Sequence, residues 1–233
     1  MKRVLASVSI LCCVLLVGIA PAASEDLSKE NPGVYGANVN TGRAVLYDQT
    51  DDAAANGVPD QDFEAAYDAY DSEAADDFVV PAEGWSVETV TTVGTSAVAG
   101  TGTVDVMIAV DAAGIPGPPV PGCDYPAIVP DSDTAGSYVL TLVPACVLPA
   151  GTYWLVMQSN QDIATAGQHF WSNRTAASNG PAMWQNPNNG FATGCTSWTD
   201  FITCGVGGGV AADLLFSLEG TVLPVELMSF DIE

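Results

Sequence analysis

The chain has 233 residues, of which 48% are hydrophobic and 14% are charged. That apolar fraction is enough for one sizeable core and argues against an intrinsically disordered chain. Only 5 basic residues stand against 28 acidic ones, which gives a formal net charge of −23. Because such a surface repels phosphate groups, the composition excludes nucleic-acid partners and electrostatic docking to anionic membranes as the leading functions.

The N-terminal segment has the three parts of a secretory signal peptide. A basic start precedes an uncharged run from 4 to 20, and Ala20-Pro21-Ala22 supplies the cleavage pattern. We therefore predict that residues 1–22 are a cleaved signal peptide, that the protein is secreted or displayed at the cell surface, and that no membrane span remains after cleavage. A retained anchor is the alternative, since the run is close to the length of a span.

Cysteine usage agrees with export. Six cysteines are present, and the four that follow residue 22 are an even number, which is typical of disulfides in an exported chain. Three pairings are possible, and we favour Cys123–Cys146 and Cys195–Cys204, because each pair encloses a segment rich in turn-forming residues. None of the four belongs to a Cys-x-x-Cys pair, so the spacing does not favour a zinc site.

From residue 77 onward, short segments alternate apolar and polar residues, which is the pattern of half-buried strands. The clearest is 104–110, where valine or isoleucine occupies every second position. No helical period persists for ten residues after the signal segment, and the nearest candidate is 62–75. We predict an all-β fold, an antiparallel β-sandwich of jelly-roll type, with an irregular acidic N-terminal segment.

The chain has no internal repeat and no second apolar segment of comparable size, so we predict one folded domain. Changes in composition give its boundaries: an irregular lead-in at 23–44, the sandwich at 45–220, and a C-terminal tail or edge strand at 221–233. The first part of this domain includes the acid-rich stretch 48–77, which carries eleven carboxylates and no basic residue.

Several segments have sequence motifs similar to those of known exported proteins. Residues 74–81 read Ala-Ala-Asp-Asp-Phe-Val-Val-Pro, and 84–87 read Gly-Trp-Ser-Val. Together with 111–117, 148–155 and 183–187, they resemble a group of secreted bacterial proteins of poorly defined function that share an A-A-D-D-F-x-V-P…W strand pair. The resemblance implies an extracellular jelly-roll module to which no catalytic residues are generally assigned.

A second resemblance lies near the C-terminus. Residues 223–230 read Leu-Pro-Val-Glu-Leu-Met-Ser-Phe. This segment is similar to the one that introduces the sorting domain of proteins exported by a type IX system. A sorting role and the role of a final edge strand are the two alternatives for it.

The acid-rich stretch holds the best candidate for a metal site. Calcium takes six to eight oxygen ligands, and a short loop with several carboxylates can supply them. The candidate ligands are close in sequence: Asp48, Asp51, Asp52, Asn56, Asp60, Asp62 and Glu64. Asp76 and Asp77 offer two further oxygens. The spacing does not follow the EF-hand register, so solvated surface acids are the alternative.

The residue inventory gives little support to catalysis. His169 is the only histidine, and no Gly-x-Ser-x-Gly turn surrounds a serine, so we expect His169 to be a hydrogen-bonding residue at a strand edge. A glycosidase needs two carboxylates across a cleft. The 28 acids allow such a pair without identifying one, so a polysaccharide-degrading enzyme is kept as an alternative to a non-catalytic protein.

Aromatic residues in the glycine- and asparagine-rich segment 160–212 are the candidates for ligand binding: Trp171, Trp184, Phe191 and Trp198. Exposed rings stack on sugar faces, whereas the alternative is that these rings pack at the end of the sandwich. The sequence therefore favours a secreted or cell-surface, non-catalytic module for adhesion, matrix or glycan binding, with calcium as its candidate stabilising ion. A purely structural surface component is a further alternative.

Overall fold

Short strands make up most of the computed structural model, which describes residues 42–100, 102–209 and 213–224. In chain order the strands are β1 Ala44–Asp48, β2 Ala53–Pro59, β3 Gln61–Asp62, β4 Glu73–Val80, β5 Trp85–Thr92, β6 Gly94–Thr95, β7 Thr103–Asp111, β8 Pro116–Ile128, β9 Ser132–Thr134, β10 Ser137–Leu148, β11 Gly151–Asn160, β12 Phe170–Arg174, β13 Met183–Gln185, β14 Thr199–Asp200, β15 Asp213–Leu214 and β16 Phe216–Val222. A helix of four residues, α1 Ile163–Ala166, and 3-10 turns at Asp68–Tyr70 and Gly207–Gly209 are also present. The described part of the chain has no helix long and apolar enough to cross a membrane. The predicted signal peptide, the lead-in up to residue 41 and residues 225–233 lie outside the described ranges.

The strands form antiparallel sheets that pack as a β-sandwich, which confirms the predicted all-β fold class. One sheet has the order β1-β16-β5-β10-β9, and the other has the order β14-β13-β4-β11-β7-β8, with β3 parallel to β11 at its side. A smaller sheet joins β15, β12 and β2, and β6 also pairs with β12. The consecutive pairs β4–β5 and β10–β11 each pass from one large sheet to the other, as strands do in sandwiches of the jelly-roll type.

The core lies between the two large sheets, where alternate residues of each strand point inward. On β7, Val104, Val106 and Ile108 are buried while the residues between them are half-buried, as the alternation of 104–110 predicts. On β10, Tyr138 and Leu140 follow the same period of two. Burial of these two inner faces supplies the main apolar stabilisation of the fold.

Phe78, from the Ala-Ala-Asp-Asp-Phe segment, lies at the centre of this core and has no exposed surface. Its ring centroid is 6.0 to 6.3 Å from those of four other aromatic rings: Tyr47, Trp85, Tyr153 and Phe216. The next residue, Val79, points to the other side of β4 and is exposed. The aromatic position of this segment is therefore explained by packing.

The acid-rich stretch is more regular than its composition indicates. It contains β2 and β3 and the start of β4, and the only helical structure within the helix candidate 62–75 is a 3-10 turn. β2 pairs with β12, so strand pairing overrides the low strand propensity of its Ala, Asn and Gly residues. The last strand, β16, lies between β1 and β5, which makes it an interior strand of its sheet.

Both predicted disulfides are present, and all four of their cysteines are buried. Cys123 on β8 and Cys146 on β10 have Cα atoms 5.2 Å apart, and their bond ties one large sheet to the other. Cys195 and Cys204, with Cα atoms 5.9 Å apart, close a short loop in the glycine- and asparagine-rich segment. The predicted pairing is confirmed.

Removing the second disulfide is expected to destabilise the domain. Replacing both Cys195 and Cys204 with serine frees a loop with a sequence separation of 9, which lowers the free energy of unfolding by about 2–3 kcal/mol on a chain-entropy basis. Urea unfolding measures the effect, with Thr203→Ser, an exposed change inside the same loop, as the control. Equal midpoints for the double variant and the control would contradict this expectation.

Candidate functional site

An open pocket walled by aromatic rings lies beside the acid-rich stretch. Its volume is about 200 Å³, and we call it the aromatic pocket. Six residues line it: Phe63, Tyr67, Tyr70, Ile163, Gln168 and Phe191. Tyr67 and Tyr70 are 43% and 40% exposed, so part of each ring is accessible to a ligand.

Backbone hydrogen bonds fix the segments that carry these rings. The amide of Tyr70 donates to the carbonyl of Tyr67 at 2.7 Å, which forms the 3-10 turn. The amide of Gly190 donates to the carbonyl of Ala69 at 2.7 Å and holds the 186–195 loop against that turn. A Cβ at position 190 would collide with the Ala69 backbone, so glycine is required for this close approach. The pocket walls are therefore held in place before any ligand arrives.

Tyr70 is the centre of the ring cluster. Its ring lies 5.2 Å from that of Phe191 at an interplanar angle of 83°, and 6.5 Å from that of Phe63 at 72°. Such edge-to-face pairs are favourable for aromatic rings. Phe191 in turn packs against the buried Trp184 at 5.7 Å. This chain of contacts connects the accessible tyrosines to the core.

Four carboxylates, called the rim acids below, belong to the segments that form the aromatic pocket or the cleft beside it: Asp62, Glu64, Asp68 and Asp162. Asp62 and Asp162 line an adjoining cleft, and Phe63 is common to the cleft and the pocket. The Glu64 carboxylate accepts a hydrogen bond from the backbone amide of Ile163, a wall residue, at 2.8 Å. Asp68, the remaining rim acid, belongs to the 3-10 turn that carries Tyr70. The surroundings of the pocket are thus both aromatic and acidic.

Of the four rings predicted to contact a ligand, only Phe191 lines this pocket. Trp171 and Trp184 have no exposed surface, and their indole N–H groups donate to the backbone carbonyls of Leu215 and Pro59 at 2.8 and 2.6 Å. A ring without exposed surface cannot stack on a sugar. The packing alternative therefore describes these two tryptophans.

Trp198, the fourth predicted ring, is half-buried and lies away from the aromatic pocket. It packs against a second apolar cluster, separate from the main core, that includes Trp154 and Met183. Trp154 also donates a hydrogen bond from its indole nitrogen to Asp111 at 3.0 Å. The four predicted rings are thus divided among three environments.

The predicted calcium ligands do not form one cluster, and the side chains of Asp48 and Asp51 are engaged with different partners. Asp48, at the end of β1, accepts hydrogen bonds from the amide and hydroxyl of Thr50 at 2.9 and 2.7 Å. Asp51 pairs with Arg174, whose Nη2 lies 2.8 Å from its Oδ1. Asp52 has a φ of 53°, and its carbonyl accepts from the Thr175 amide at 2.9 Å.

The other four predicted calcium ligands lie in different environments. Asn56 faces solvent on β2, Asp60 is fully buried, and Asp62 and Glu64 are rim acids. In the described ranges, no group of three or more His, Cys, Asp or Glu side chains is arranged to hold a metal ion. Calcium binding by this set would require the loops to rearrange, and it stays a prediction.

His169, directly before β12, is fully buried and makes two ring hydrogen bonds. Its Nδ1 lies 2.6 Å from Oδ1 of Asp60, and its Nε2 lies 2.8 Å from the carbonyl oxygen of Gly136. A carbonyl oxygen only accepts hydrogen bonds, so Nε2 carries a proton and donates it. A second proton lies between Nδ1 and the Asp60 carboxylate, and the Tyr138 ring stacks on the imidazole at 5.0 Å.

This geometry gives His169 a structural role. A general base needs a nitrogen that can reach a substrate, whereas both nitrogens here are engaged and buried. Burial alone would lower the pKa of the imidazole, but the Asp60 carboxylate and the Gly136 carbonyl outweigh it, so the pKa lies above the ordinary 6.5. The pair connects the β2–β3, β9–β10 and β12 segments, as expected for a hydrogen-bonding residue at a strand edge.

A second buried polar cluster lies where β4 meets β15. Oδ2 of Asp76 accepts hydrogen bonds from the Gln49 amide at 2.6 Å and from the backbone amide of Leu214 at 2.7 Å. Both oxygens of Asp77 accept from the backbone amide of Gly180 at 3.1 Å. The two aspartates of the Ala-Ala-Asp-Asp-Phe segment therefore hold the end of the smaller sheet and a loop against β4.

Asp213 is the third carboxylate of this cluster. Its Oδ2 accepts from the backbone amide of Ser178 and lies 3.9 Å from Nη1 of Arg174, while its Oδ1 has no hydrogen-bond partner among the described residues. Burial is the main cause that raises the pKa of Asp213 to about 6. Burial and the nearby Asp213 charge also raise the pKa of Asp76 well above 3.8. Both carboxyls are fully buried, so a polymeric substrate cannot reach them.

Comparison with known proteins returned no relative. No family model matches the chain, and no curated protein or solved structure gives a significant match.

The sequence interpretation missed most of the aromatic pocket, although a signal was present. Phe63, Tyr67 and Tyr70 were visible as the apolar positions of the helix candidate 62–75. In the structure they lie on a loop and a 3-10 turn, and they face a residue more than 100 positions later in the chain, Phe191. Exposed aromatic residues within an acidic, turn-rich stretch are the feature that indicates such a site.

Proposed function

We propose that this protein is an exported, non-catalytic β-sandwich module that binds a glycan in the aromatic pocket. The single observation that supports this most directly is an open pocket of about 200 Å³ whose walls carry four aromatic rings. Pockets that are concave, mostly apolar and provided with a few polar groups are the usual places for small ligands. A volume of this size suits one sugar ring or the end of a chain.

The chemistry of the walls favours a sugar. The C–H faces of a pyranose pack on aromatic rings, and the hydroxyls at its edge need polar partners. Gln168 lines the pocket, and its side-chain amide makes no hydrogen bond within the described part of the chain. It is therefore free to bond a hydroxyl. The rim acids add acceptors for further hydroxyl groups.

A non-catalytic role is favoured over a carboxylate-based enzyme by the same geometry. The carboxyls with the most strongly raised pKa, Asp76 and Asp213, are buried away from the pocket, and His169 has no free nitrogen. Catalysis on a polymer needs such groups in an open cleft.

Export is proposed from the sequence of the N-terminal segment, and two features agree with it. Two disulfides are compatible with an oxidising compartment. The strongly acidic composition is compatible with a saline exterior, where salt screens repulsion between surface charges.

Replacing Tyr67 with alanine tests the proposed site. Tyr67 is exposed, so its removal is expected to leave the fold intact and to weaken glycan binding by about tenfold through the loss of one stacking surface. An array of plant, fungal and bacterial oligosaccharides identifies a binding glycan for the wild-type protein, and calorimetry with that glycan measures the change.

Val143→Ala is the matched control, because Val143 is 80% exposed on β10 and does not line the pocket. It is expected to bind as the wild type does, with the same melting temperature. Absence of binding to every array member, or equal affinity of the Tyr67 and Val143 variants, would overturn the proposed function.

A further inference from the structure

We propose that the aromatic pocket selects sugars that carry a free, protonated amine over their acetylated or neutral counterparts. This inference rests on the proposed glycan-binding function and names the class of glycan. The observation behind it is the charge around the pocket, which is negative on several sides and has no cation close by in the described structure.

The rim acids come from three different segments of the chain. Asp62 is the last residue of β3, and Glu64 follows that strand. Asp68 belongs to the 3-10 turn, and Asp162 directly precedes α1. Aspartate and glutamate side chains in water are negatively charged at neutral pH. Their segments meet at the pocket, since the Glu64 carboxylate bonds the amide of Ile163 at 2.8 Å.

No basic side chain of the described ranges is available to neutralise them. Only Arg43 and Arg174 are basic there, and both are engaged elsewhere. Nε of Arg43 pairs with Glu219 at 2.8 Å, and Arg174 pairs with Asp51 at 2.8 Å. Within the described ranges, the rim acids therefore have no basic side chain paired with them.

The raised pKa of Asp62 agrees with the presence of other negative charges nearby. Partial burial and then the neighbouring charges of Asp105 and Asp68 raise the pKa of this carboxyl above 3.8. Like charges that oppose one another in this way are relieved by an incoming cation. A bound ammonium group would supply that cation without any change in the fold.

The aromatic walls and the rim acids both favour an ammonium group. An ammonium group is attracted to the faces of tyrosine and phenylalanine rings, and it donates hydrogen bonds to carboxylates. N-acetylation of a sugar amine removes the positive charge and adds bulk, whereas replacement by a hydroxyl removes the charge alone. A pocket with Tyr67, Tyr70 and the rim acids therefore distinguishes an amino sugar from its N-acetylated form and from its hydroxyl analogue mainly by charge.

The experiment compares three short oligosaccharides with the same β-1,4 linkage: glucosamine, N-acetylglucosamine and glucose trimers. Calorimetry near pH 6 at low salt is expected to give about tenfold tighter binding of the glucosamine trimer, and the preference should shrink at about 0.5 M salt. Short chains are used because a long polycation would also bind the acidic surface at random.

A matched pair of double variants separates pocket binding from general attraction. Asp62→Asn with Glu64→Gln removes two rim charges and is expected to reduce the preference for the amine at least threefold. Glu83→Gln with Asp124→Asn removes two exposed charges from a turn beyond the other end of β4 and from β8. It should leave the preference unchanged, whereas equal effects of both pairs would overturn the inference.

The outcomes are distinguishable. Equal binding of the three trimers, or tighter binding of the acetylated or neutral one, overturns the amine selectivity and leaves the glycan-binding function standing. Failure of all three trimers and of every array glycan overturns the proposed function itself. Tighter binding of the glucosamine trimer that is lost in Tyr67→Ala supports both.

Discussion

Replacing His169 with alanine is expected to lower the free energy of unfolding by about 3–5 kcal/mol. The change leaves the Asp60 carboxylate without its partner in a place with no exposed surface. It also removes the donor to the Gly136 carbonyl. An unpaired buried charge and an unpaired buried carbonyl both carry a large desolvation cost.

Chemical denaturation of four proteins measures this effect as a double-mutant cycle: the wild type, His169→Ala, Asp60→Ala and the double variant. We expect the double variant to be less destabilised than the sum of the single variants, because it contains no unpaired charge. Gln168→Ala, the half-buried neighbour in sequence, is the control and should change stability by less than about 1 kcal/mol. A loss for His169→Ala no larger than that of the control would contradict the structural role.

Replacing Asp213 with asparagine is expected to stabilise the protein at alkaline pH. A carboxyl whose pKa rises on folding from 3.8 to about 6 costs the folded state about 3 kcal/mol once it is ionised. Asparagine has the shape of the protonated carboxyl, keeps an acceptor for the Ser178 amide and carries no charge. Arg174 keeps its pairing with Asp51. We expect a gain of about 1–3 kcal/mol near pH 8.

The direction of the pH dependence follows from proton linkage. In the folded state Asp213 and Asp76 both bind their protons more tightly than in the unfolded chain, because the pKa of each is raised. Their contribution to stability is therefore fully present below about pH 4 and is lost as the pH rises through about 6. His169 adds a loss of the same sign above 6.5, because its folded pKa is also raised.

Melting temperatures between about pH 4.5 and 8 check this expectation, and Asp213→Asn should flatten the decline. Asp124→Asn, which removes an exposed carboxylate on β8, is the control for a simple reduction in net charge. A wild-type protein that becomes more stable toward pH 8, or equal effects of the two variants, would show that the buried cluster does not carry the effect.

The sequence allowed the fold class to be predicted because the relevant signals are local. Alternation at 104–110 depends only on neighbouring residues, and the structure places Val104, Val106 and Ile108 in the core. The pairing of Cys195 with Cys204 followed from the turn-forming residues between them. Register and sheet order depend on long-range contacts, and they were not accessible in this way.

The candidate site was less predictable because the burial of each side chain depends on contacts with segments that are distant in the sequence. Asp60 and Asp62 are close in sequence, yet one is fully buried beside His169 and the other is exposed at the pocket rim. A carboxylate cluster in sequence was therefore not a cluster in space. The burial of Trp184 likewise depends on contacts with residues as distant as Pro59, which no local pattern reveals.

The engagement of Arg174 also has a consequence for proteolysis. Trypsin-like proteases cut after lysine or arginine, and they need several residues of extended, accessible chain around the bond. In the described ranges those residues are Arg43 and Arg174, and the Arg174 side chain is only 10% exposed within β12. Among the described residues, the folded sandwich thus offers such enzymes one accessible target, Arg43, directly before its first strand.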